Sequence, residues 1–252
     1  MNSLIHQLEE FSRIIEILKE GFVPNYHGED LRMKGTVNHR MYLGIPMVSF
    51  SDVDNTNVCN HIQDVGKEYG SYAILMKKSW ALHQKWLNPI WYVSNESILQ
   101  QMDLYIELFM KTEIPGFIKK YESEWKGKAY NNYCEKEWRY VIPSNEIEWI
   151  FTEEEYMKWR GDKNQKRPEP TKEMKRKALK FDIEDIEKII VNKRSEKIKV
   201  KKFLQETHSF SGLPKNLSKE EVRRLMSLIK INPLISFPKI WKCLRLRKKD
   251  KV

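Results

Sequence analysis

The sequence has too few cysteines to build a disulfide framework or a zinc site. Its three cysteines, Cys59, Cys134 and Cys243, are far apart and share no metal-binding spacing. The six histidines form no HExxH motif, the spacing that puts two zinc ligands on one face of a helix. The sequence therefore predicts no metal site, and it disfavours zinc-dependent enzymes and disulfide-stabilised proteins.

Long apolar runs and glycine-rich phosphate loops are also missing. No run approaches the roughly 18 apolar residues that cross a bilayer, and the first residues lack the pattern of a secretory signal. We therefore expect a cytoplasmic protein without a membrane partner. No GxGxxG follows a predicted strand, and no GxxxxGK precedes a serine or threonine. These absences disfavour the doubly wound nucleotide-binding folds.

Positive charge is present in excess. Lysine and arginine number 45 and aspartate and glutamate 35, which gives a formal net charge of +10 at pH 7. This surplus favours an anionic partner such as nucleic acid or a phosphate-bearing ligand. A basic surface that contacts only water fits the same surplus equally well. With 40% hydrophobic and 12% aromatic residues, the chain can form a folded core.

Hydrophobic periodicity predicts helices and short strands in irregular order. Apolar residues recur at helical spacing between Leu8 and Leu18, and about six short strands follow without a regular βαβ alternation. This pattern favours an α+β fold. Residues 22–45 have little periodicity and predict a long loop of the lid or binding type. The pattern of 95–121 predicts helices that Pro115 interrupts.

Two domains are predicted, an α+β domain over 1–210 and a helical, basic extension over 211–252. The capping box Ser218-Lys219-Glu220-Glu221 predicts the start of a helix in the extension. Residues 241–251 interleave basic residues with aromatic and apolar ones. This composition suits contact with a phosphate backbone or with a partner. A chain terminus that contacts only water can have the same composition.

The stretch 133–143 predicts the strand on which a site would be built. Strand alternation puts Glu135, Glu137 and Arg139 on one face, with aromatic residues on the other. Three charges on one face of a core strand line either a polar cleft or the solvent. We favour the cleft, with Glu137 as the reactive group. The alternative is an edge strand whose alternating charges face water and discourage aggregation.

Several short motifs occur in a recognisable order over roughly residues 4–200. They are His6, Glu20-Gly21-Phe22, Ile45-Pro46-Met47-Val48-Ser49-Phe50-Ser51-Asp52, Tyr69-Gly70-Ser71-Tyr72, Lys78-Ser79-Trp80-Ala81, Asn88-Pro89 and Glu135-Lys136-Glu137-Trp138-Arg139. In order and spacing the series resembles the AbiGi-type abortive-infection proteins of bacterial phage defence. The resemblance implies an anti-phage protein. It also implies a second possibility, a non-catalytic antitoxin that binds its toxin or DNA.

AbiGi-type proteins are in turn similar to ADP-ribosyltransferases such as DarT. This similarity implies a split mixed or antiparallel sheet flanked by helices, with NAD as substrate and nucleic acid or a phage or host protein as acceptor. It assigns catalysis to Glu137, with Glu135 in a secondary role. It assigns NAD binding to His6, Ser49, Phe50, Tyr69 and Arg139.

The implied chemistry suits these residue types. Breaking the nicotinamide–ribose bond passes through an oxocarbenium-like transition state, which the carboxylate of Glu137 would stabilise. Glu135 would orient the acceptor or act as general base. His6 would donate to a ribose hydroxyl, an aromatic ring would stack on nicotinamide, and Arg139 would pair with the diphosphate or hold Glu137. A metal-independent nuclease that uses histidine and glutamate is a third, weaker option.

Overall fold

The computed structural model describes residues 2–31, 42–58, 60–62, 69–94, 112–125, 128–161, 168–207, 209–214 and 216–232. Over these residues the fold is α+β, with a mixed sheet flanked by helices, as the sequence predicts. The chain divides into two compact units. The first comprises Met1–Gly21, Val53–Trp80 and Lys180–Val252, and the second comprises Phe22–Asp52 and Ala81–Leu179. An ADP-ribosyltransferase-like form of the sheet stays a prediction.

The described strands follow one another along the chain as β1 (Asn2–Leu8), β2 (Asn25–Asp30), β3 (Tyr42–Asp54), β4 (Tyr72–Lys77), β5 (Leu87–Pro89), β6 (Trp91–Val93), β7 (Ile118–Lys120), β8 (Glu122–Trp125), β9 (Lys128–Asn131), β10 (Glu137–Val141), β11 (Ile186–Val191), β12 (Ser209–Phe210), β13 (Leu213–Pro214) and β14 (Ile229–Ile231). The helices used below are α1 (Phe11–Glu20), α2 (Lys78–Ala81), α3 (Glu153–Arg160), α4 (Lys172–Arg176), α5 (Arg194–Glu206) and α6 (Lys219–Leu228). Short 3-10 turns cover Ile114–Phe117, Asn132–Glu135 and Ile183–Asp185.

In the first unit four strands lie in the order β14-β11-β4-β1. β4 pairs antiparallel with both β1 and β11, whereas β11 pairs parallel with β14. The helix α1 forms where the sequence predicts one, because its apolar residues recur on one face. That face is buried through Ile14, Ile17 and Leu18. Removing such side chains from water is the main favourable term for folding.

In the second unit β3 is the longest strand and pairs along different parts of its length with two partners. Its first half pairs antiparallel with β2, and its second half pairs antiparallel with β10. β10 also pairs antiparallel with β5 on its other side. The strand that carries Glu137 and Arg139 is therefore an interior strand. The alternative of an exposed edge strand is wrong, because both of its neighbouring positions are occupied.

The predicted long loop over 22–45 is wrong for its described part. Residues 25–30 form β2, which runs in register with β3 from Asn25 opposite Met47 to Asp30 opposite Tyr42. The strand Asn-Tyr-His-Gly-Glu-Asp lacks the β-branched residues that mark a strand in a sequence. Pairing with β3, rather than local preference, holds it extended. Residues 32–41 lie outside the described part of the chain.

The predicted helical stretch 95–121 is also wrong where it is described. Residues 95–111 lie outside the described part of the chain. Beyond them the structure has the 3-10 turn Ile114–Phe117 and then β7, which pairs parallel with β6. Pro115 lies near the start of this 3-10 turn, and a strand follows the turn. The predicted interruption of a helix at Pro115 stays a prediction. This strand brings Lys119 beside Tyr92.

The predicted strand 133–143 begins four residues later than its sequence suggests. Asn132–Glu135 form a 3-10 turn, in which the side chain of Asn131 accepts a hydrogen bond from the Tyr133 N–H. Lys136 follows with a φ of 44°, a left-handed conformation that redirects the chain. β10 starts only at Glu137. Glu135 therefore does not lie on the strand, and its predicted place on the strand face is wrong.

The C-terminal helix starts where the capping box predicts. The Ser218 hydroxyl accepts from the Glu221 N–H, and the Glu221 carboxylate accepts from the Ser218 N–H. The chain then enters β14 and joins β11, which groups this region with the first unit. A domain boundary after residue 210 stays a prediction. The basic residues 241–251 lie outside the described residues, and no described helix has the length and apolarity needed to cross a membrane.

Candidate functional site

Five charged side chains of the second unit meet around β10. They are Glu29 of β2, Lys119 of β7, Glu135 of the 3-10 turn, and Glu137 and Arg139 of β10, and we call them the buried ion cluster. Alternation along β10 puts its two members on one face, as predicted. Arg139 is 1% and Glu137 7% exposed. Charged side chains this deeply buried need partners.

Arg139 lies at the centre of the cluster and uses all three of its guanidinium nitrogens. Its Nε donates to Oε1 of Glu137 at 2.8 Å, and its Nη2 donates to Oε1 of Glu29 at 2.7 Å. Its Nη1 donates to the backbone oxygen of Gly116 at 3.0 Å. One planar side chain thus links β10 to β2 and to the turn before β7. The planar fork of donors is the property that makes arginine suit this position.

Glu137 has both of its carboxylate oxygens occupied. Oε1 accepts from Arg139, and Oε2 accepts from Lys119 Nζ at 3.0 Å and from Arg139 Nη2 at 3.1 Å. The Ser49 hydroxyl of the neighbouring strand hydrogen-bonds to the same carboxylate. The charge of Glu137 is therefore neutralised within the protein itself.

Lys119 joins Glu137 to Glu135. Its Nζ lies 2.6 Å from Oε2 of Glu135 and 3.0 Å from Oε2 of Glu137. The two carboxylates that the sequence pairs through strand alternation thus meet on one ammonium group, although only one of them lies on the strand. In the cluster three carboxylates share two cations. The negative charges outnumber the positive ones by one.

The electrostatics of the cluster favour charged Glu137 and charged cations. Burial alone would raise the pKa of Glu137, but Arg139 and Lys119 lower it well below its ordinary range. Burial would lower the pKa of Arg139 and of Lys119, and their glutamate partners raise both above the usual values. For Glu29 burial dominates and raises the pKa in spite of Arg139. Glu29 therefore takes up a proton more readily than Glu137 does.

Tyr92 supports the cluster from β6. Its phenolic oxygen accepts a hydrogen bond from the backbone N–H of Glu137 at 2.8 Å, and burial raises its pKa to about 12. Tyr92→Phe would leave that N–H without its acceptor, so we expect a loss of about 1–3 kcal/mol in the free energy of unfolding, measured in urea. Tyr133→Phe, in a half-exposed ring, is the control and should change little. Equal effects of the two substitutions would contradict this role of Tyr92.

The predicted site residues fall into two groups. Ser49 lies opposite Arg139 in the β3–β10 register and reaches Glu137. Phe50 points the other way and packs edge-on against Phe22, with 5.1 Å between ring centroids. His6 lies on β1 opposite Ile74, and both it and the exposed Tyr69 belong to the first unit. A common NAD cleft that includes them stays a prediction.

Two members of the cluster, Glu29 and Lys119, are absent from the sequence-based set. Glu29 lies in a segment without strand periodicity, and Lys119 lies in one with helical periodicity, so the sequence predicts neither of them on a strand. The available signal was indirect. A buried strand with Glu137 and Arg139 needs further countercharges, but that need does not say which residues supply them.

The arrangement suits structural linkage better than proton transfer. A carboxylate with a strongly lowered pKa and donors on both oxygens is a weak general base. Through the cluster, by contrast, side chains of β2, β3, β7 and β10 bind one another. Among the described residues no group of three or more histidine, cysteine, aspartate or glutamate side chains is arranged to hold a metal ion.

Comparison with known proteins gives one match. The model of a family described as "Putative abortive phage resistance protein AbiGi, antitoxin" matches residues 20–192. No curated protein and no solved structure matches the chain. The matched range covers more than half of the chain and includes all five members of the buried ion cluster. The chain therefore belongs to the AbiGi family of abortive phage resistance proteins, which gives it a role in phage defence.

Proposed function

We propose that this protein is the antitoxin of a toxin–antitoxin pair and that it acts by binding its toxin rather than by catalysis. Two things support this. The family is described as an antitoxin, and the best catalytic candidate is engaged inside the protein. The observation that carries the proposal is the double occupation of the Glu137 carboxylate by Arg139 and Lys119.

An ADP-ribosyltransferase needs its glutamate to face the substrate. To stabilise an oxocarbenium ion, a carboxylate must present unneutralised charge to the sugar. Glu137 is 7% exposed and lies within 3.1 Å of donors from two cations. Releasing it would leave Arg139 buried with fewer partners, which is costly. A structural role requires no such rearrangement.

Exposed aromatic side chains of the second unit suit a protein partner. Trp91 is 60% and Tyr133 50% exposed. Tyr133 stacks on Tyr121 with 5.8 Å between ring centroids and meets Tyr92 edge-on at 5.3 Å. Tryptophan and tyrosine are enriched among the residues that dominate binding energy at protein interfaces. We therefore assign toxin contact to Trp91 and Tyr133.

Neutralisation of toxin in growing bacteria tests the proposal. The chain is expressed with the toxin of the same defence system, and colony formation is counted. Trp91→Ala combined with Tyr133→Ala should reduce neutralisation at least tenfold, whereas Glu135→Gln should neutralise as wild type does. Met157→Ala, at an exposed apolar residue of α3, is the matched control. Loss of neutralisation by a normally folded Glu135→Gln would contradict binding without catalysis.

A second candidate function is ADP-ribosyl transfer from NAD to nucleic acid or protein. It is favoured by the convergence of Glu135 and Glu137 on Lys119, which puts the two predicted catalytic carboxylates side by side. Glu137 would then stabilise the transition state and Glu135 would act as base. Arg139, Ser49 and the other residues assigned by resemblance would bind NAD.

Labelled NAD distinguishes the two functions. Wild-type protein is incubated with NAD labelled in the adenosine half, with DNA and a bacterial protein extract as acceptors. The binding proposal predicts no labelled product. Transfer by wild type that Glu135→Gln abolishes, at unchanged thermal stability, would favour the enzyme and overturn the antitoxin proposal. Glu135 is the better position for this test, because replacing Glu137 would also remove the hydrogen bonds that Arg139 and Lys119 make to its carboxylate.

A further inference from the structure

The outer face of α5, in the first unit, carries a dense group of cations. Arg194, Lys199, Lys201 and Lys202 are all exposed on this 13-residue helix. We call these four residues, together with Ile198, the α5 outer face. Among the ion pairs given for the described residues, one involves this face. It is the contact at 3.9 Å between Nζ of Lys202 and Oε1 of Glu206. The four cations give the face a positive charge, which Glu206 offsets only in part.

On the opposite side of the same helix, charged side chains make hydrogen bonds that support the fold. Glu196 is buried and accepts hydrogen bonds from the N–H groups of Asn192 and Lys193, which caps the helix. Lys197 donates to the backbone oxygen of Ile229 at 3.0 Å. Val200 and Leu204 fill the core. Folding therefore explains the inner residues of α5 but not the concentration of cations outside.

Ile198 adds an apolar group at the centre of the charged face. It is 62% exposed. Residues three and four positions apart are neighbours on a helix surface, so Ile198 lies next to Arg194, Lys201 and Lys202. An exposed isoleucine gains little hydrophobic stabilisation within its own chain, and it leaves apolar surface available to a partner. It suits a partner that is polyanionic and also presents apolar groups.

We propose that the α5 outer face binds the sugar–phosphate backbone and groove of double-stranded DNA. With a rise of about 1.5 Å per residue, Arg194 and Lys202 are about 12 Å apart along the helix. Phosphates follow one another by about 3.4 Å of axis on each strand, so the four cations span about four phosphates. A helix fits the major groove, where Ile198 would contact the apolar methyl of thymine.

This inference goes beyond toxin binding and does not rest on it. The toxin contact is assigned to aromatic residues of the second unit, whereas the α5 outer face belongs to the first unit. DNA binding would give the antitoxin a second activity. Because the residues are separate, substitutions on α5 leave the neutralisation assay as an independent measurement.

Fluorescence anisotropy with a labelled random-sequence duplex of about 20 base pairs tests the proposal over about 50–200 mM salt. The variant is Lys199→Glu/Lys201→Glu/Lys202→Glu in the full chain. The matched control is Lys172→Glu/Lys175→Glu/Arg176→Glu, which changes the net charge equally at exposed residues of α4. The α5 variant should bind at least about tenfold more weakly, with the salt slope of log Kd reduced by about 3. The control should bind nearly as wild type does.

Further measurements decide between the α5 outer face and its alternatives. Ile198→Gln should weaken binding without changing the salt slope, and the neutral variant Lys199→Gln/Lys201→Gln/Lys202→Gln should lose affinity in the same direction as the charge reversal. Equal losses in the α4 control would assign binding to net charge and overturn the proposal. The proposal is also overturned if the wild-type protein leaves the duplex unbound, or if it binds phosphatidylserine vesicles or polyglutamate more tightly than the duplex.

Discussion

Arg139→Met is expected to lower the free energy of unfolding by about 3–5 kcal/mol, the usual cost of removing one partner from a buried ion pair. Methionine has a similar length but donates no hydrogen bond, so Glu137 would keep only Lys119 and Ser49 as partners. Glu29 and the backbone oxygen of Gly116 would each lose the bond from Arg139. Urea unfolding monitored by tryptophan fluorescence measures the change.

Arg224→Met is the matched control for this loss. Arg224 also makes an ion pair at 2.7 Å, with Glu184, but both side chains are about half exposed. An exposed pair contributes less than about 1 kcal/mol, so the two arginines should differ several-fold. Adding Glu137→Gln to Arg139→Met should recover part of the stability, because the buried carboxylate charge is then removed as well. Similar losses from Arg139→Met and Arg224→Met would contradict a structural role for the cluster.

The sequence locates the central pair of the cluster through a simple geometric rule. Glu137 and Arg139 are two residues apart in a segment with strand propensity, and the aromatic residues Trp138 and Tyr140 alternate with them. Strand alternation therefore predicts a charged face and an aromatic face, and the structure has both. That the charges are buried follows from the elements that meet this face, since Glu29, Lys119 and the backbone oxygen of Gly116 contact it there. The pairing of β3 and β5 on either side makes β10 an interior strand. Such long-range pairing leaves no local mark in the sequence.

Glu135 shows how a correct association can be predicted for an incorrect reason. Strand alternation would place Glu135 beside Glu137, but Glu135 belongs to a 3-10 turn. The two carboxylates meet because Lys136 adopts a left-handed conformation and Lys119 reaches both. A non-glycine residue in that conformation is uncommon. A lysine gives no indication of it in the sequence.

Glu29 and Lys119 could not be predicted, because the pairing that positions them is far away in the chain. β2 is extended through its pairing with β3, and β7 through its pairing with β6. Their own residues favour a loop and a helix, and tertiary context overrides both preferences. The roles of His6, Phe50 and Tyr69 stay predictions.

The combined contribution of Glu137 and Glu29 to stability is expected to reverse its pH dependence near pH 4.5, the ordinary pKa of a glutamate carboxyl. Glu137 has a lowered pKa in the folded protein, so below pH 4.5 the unfolded chain binds a proton that the folded protein does not. Its contribution is lost as pH falls, with a slope of up to about 1.4 kcal/mol per pH unit. Glu29 has a raised pKa, so above pH 4.5 it destabilises the folded protein as pH rises.

Two neutral, nearly isosteric substitutions separate these contributions. Urea unfolding is measured between about pH 3 and pH 7 for wild type, Glu137→Gln and Glu29→Gln. Glu137→Gln should flatten the acid side of the profile, because no carboxyl remains there to be protonated. Glu29→Gln should flatten the side above pH 4.5 and leave the acid side in place. If Glu137→Gln keeps the acid slope of wild type, the carboxylate of Glu137 does not carry the charge that Arg139 and Lys119 bind, and the structural account of the buried ion cluster is overturned.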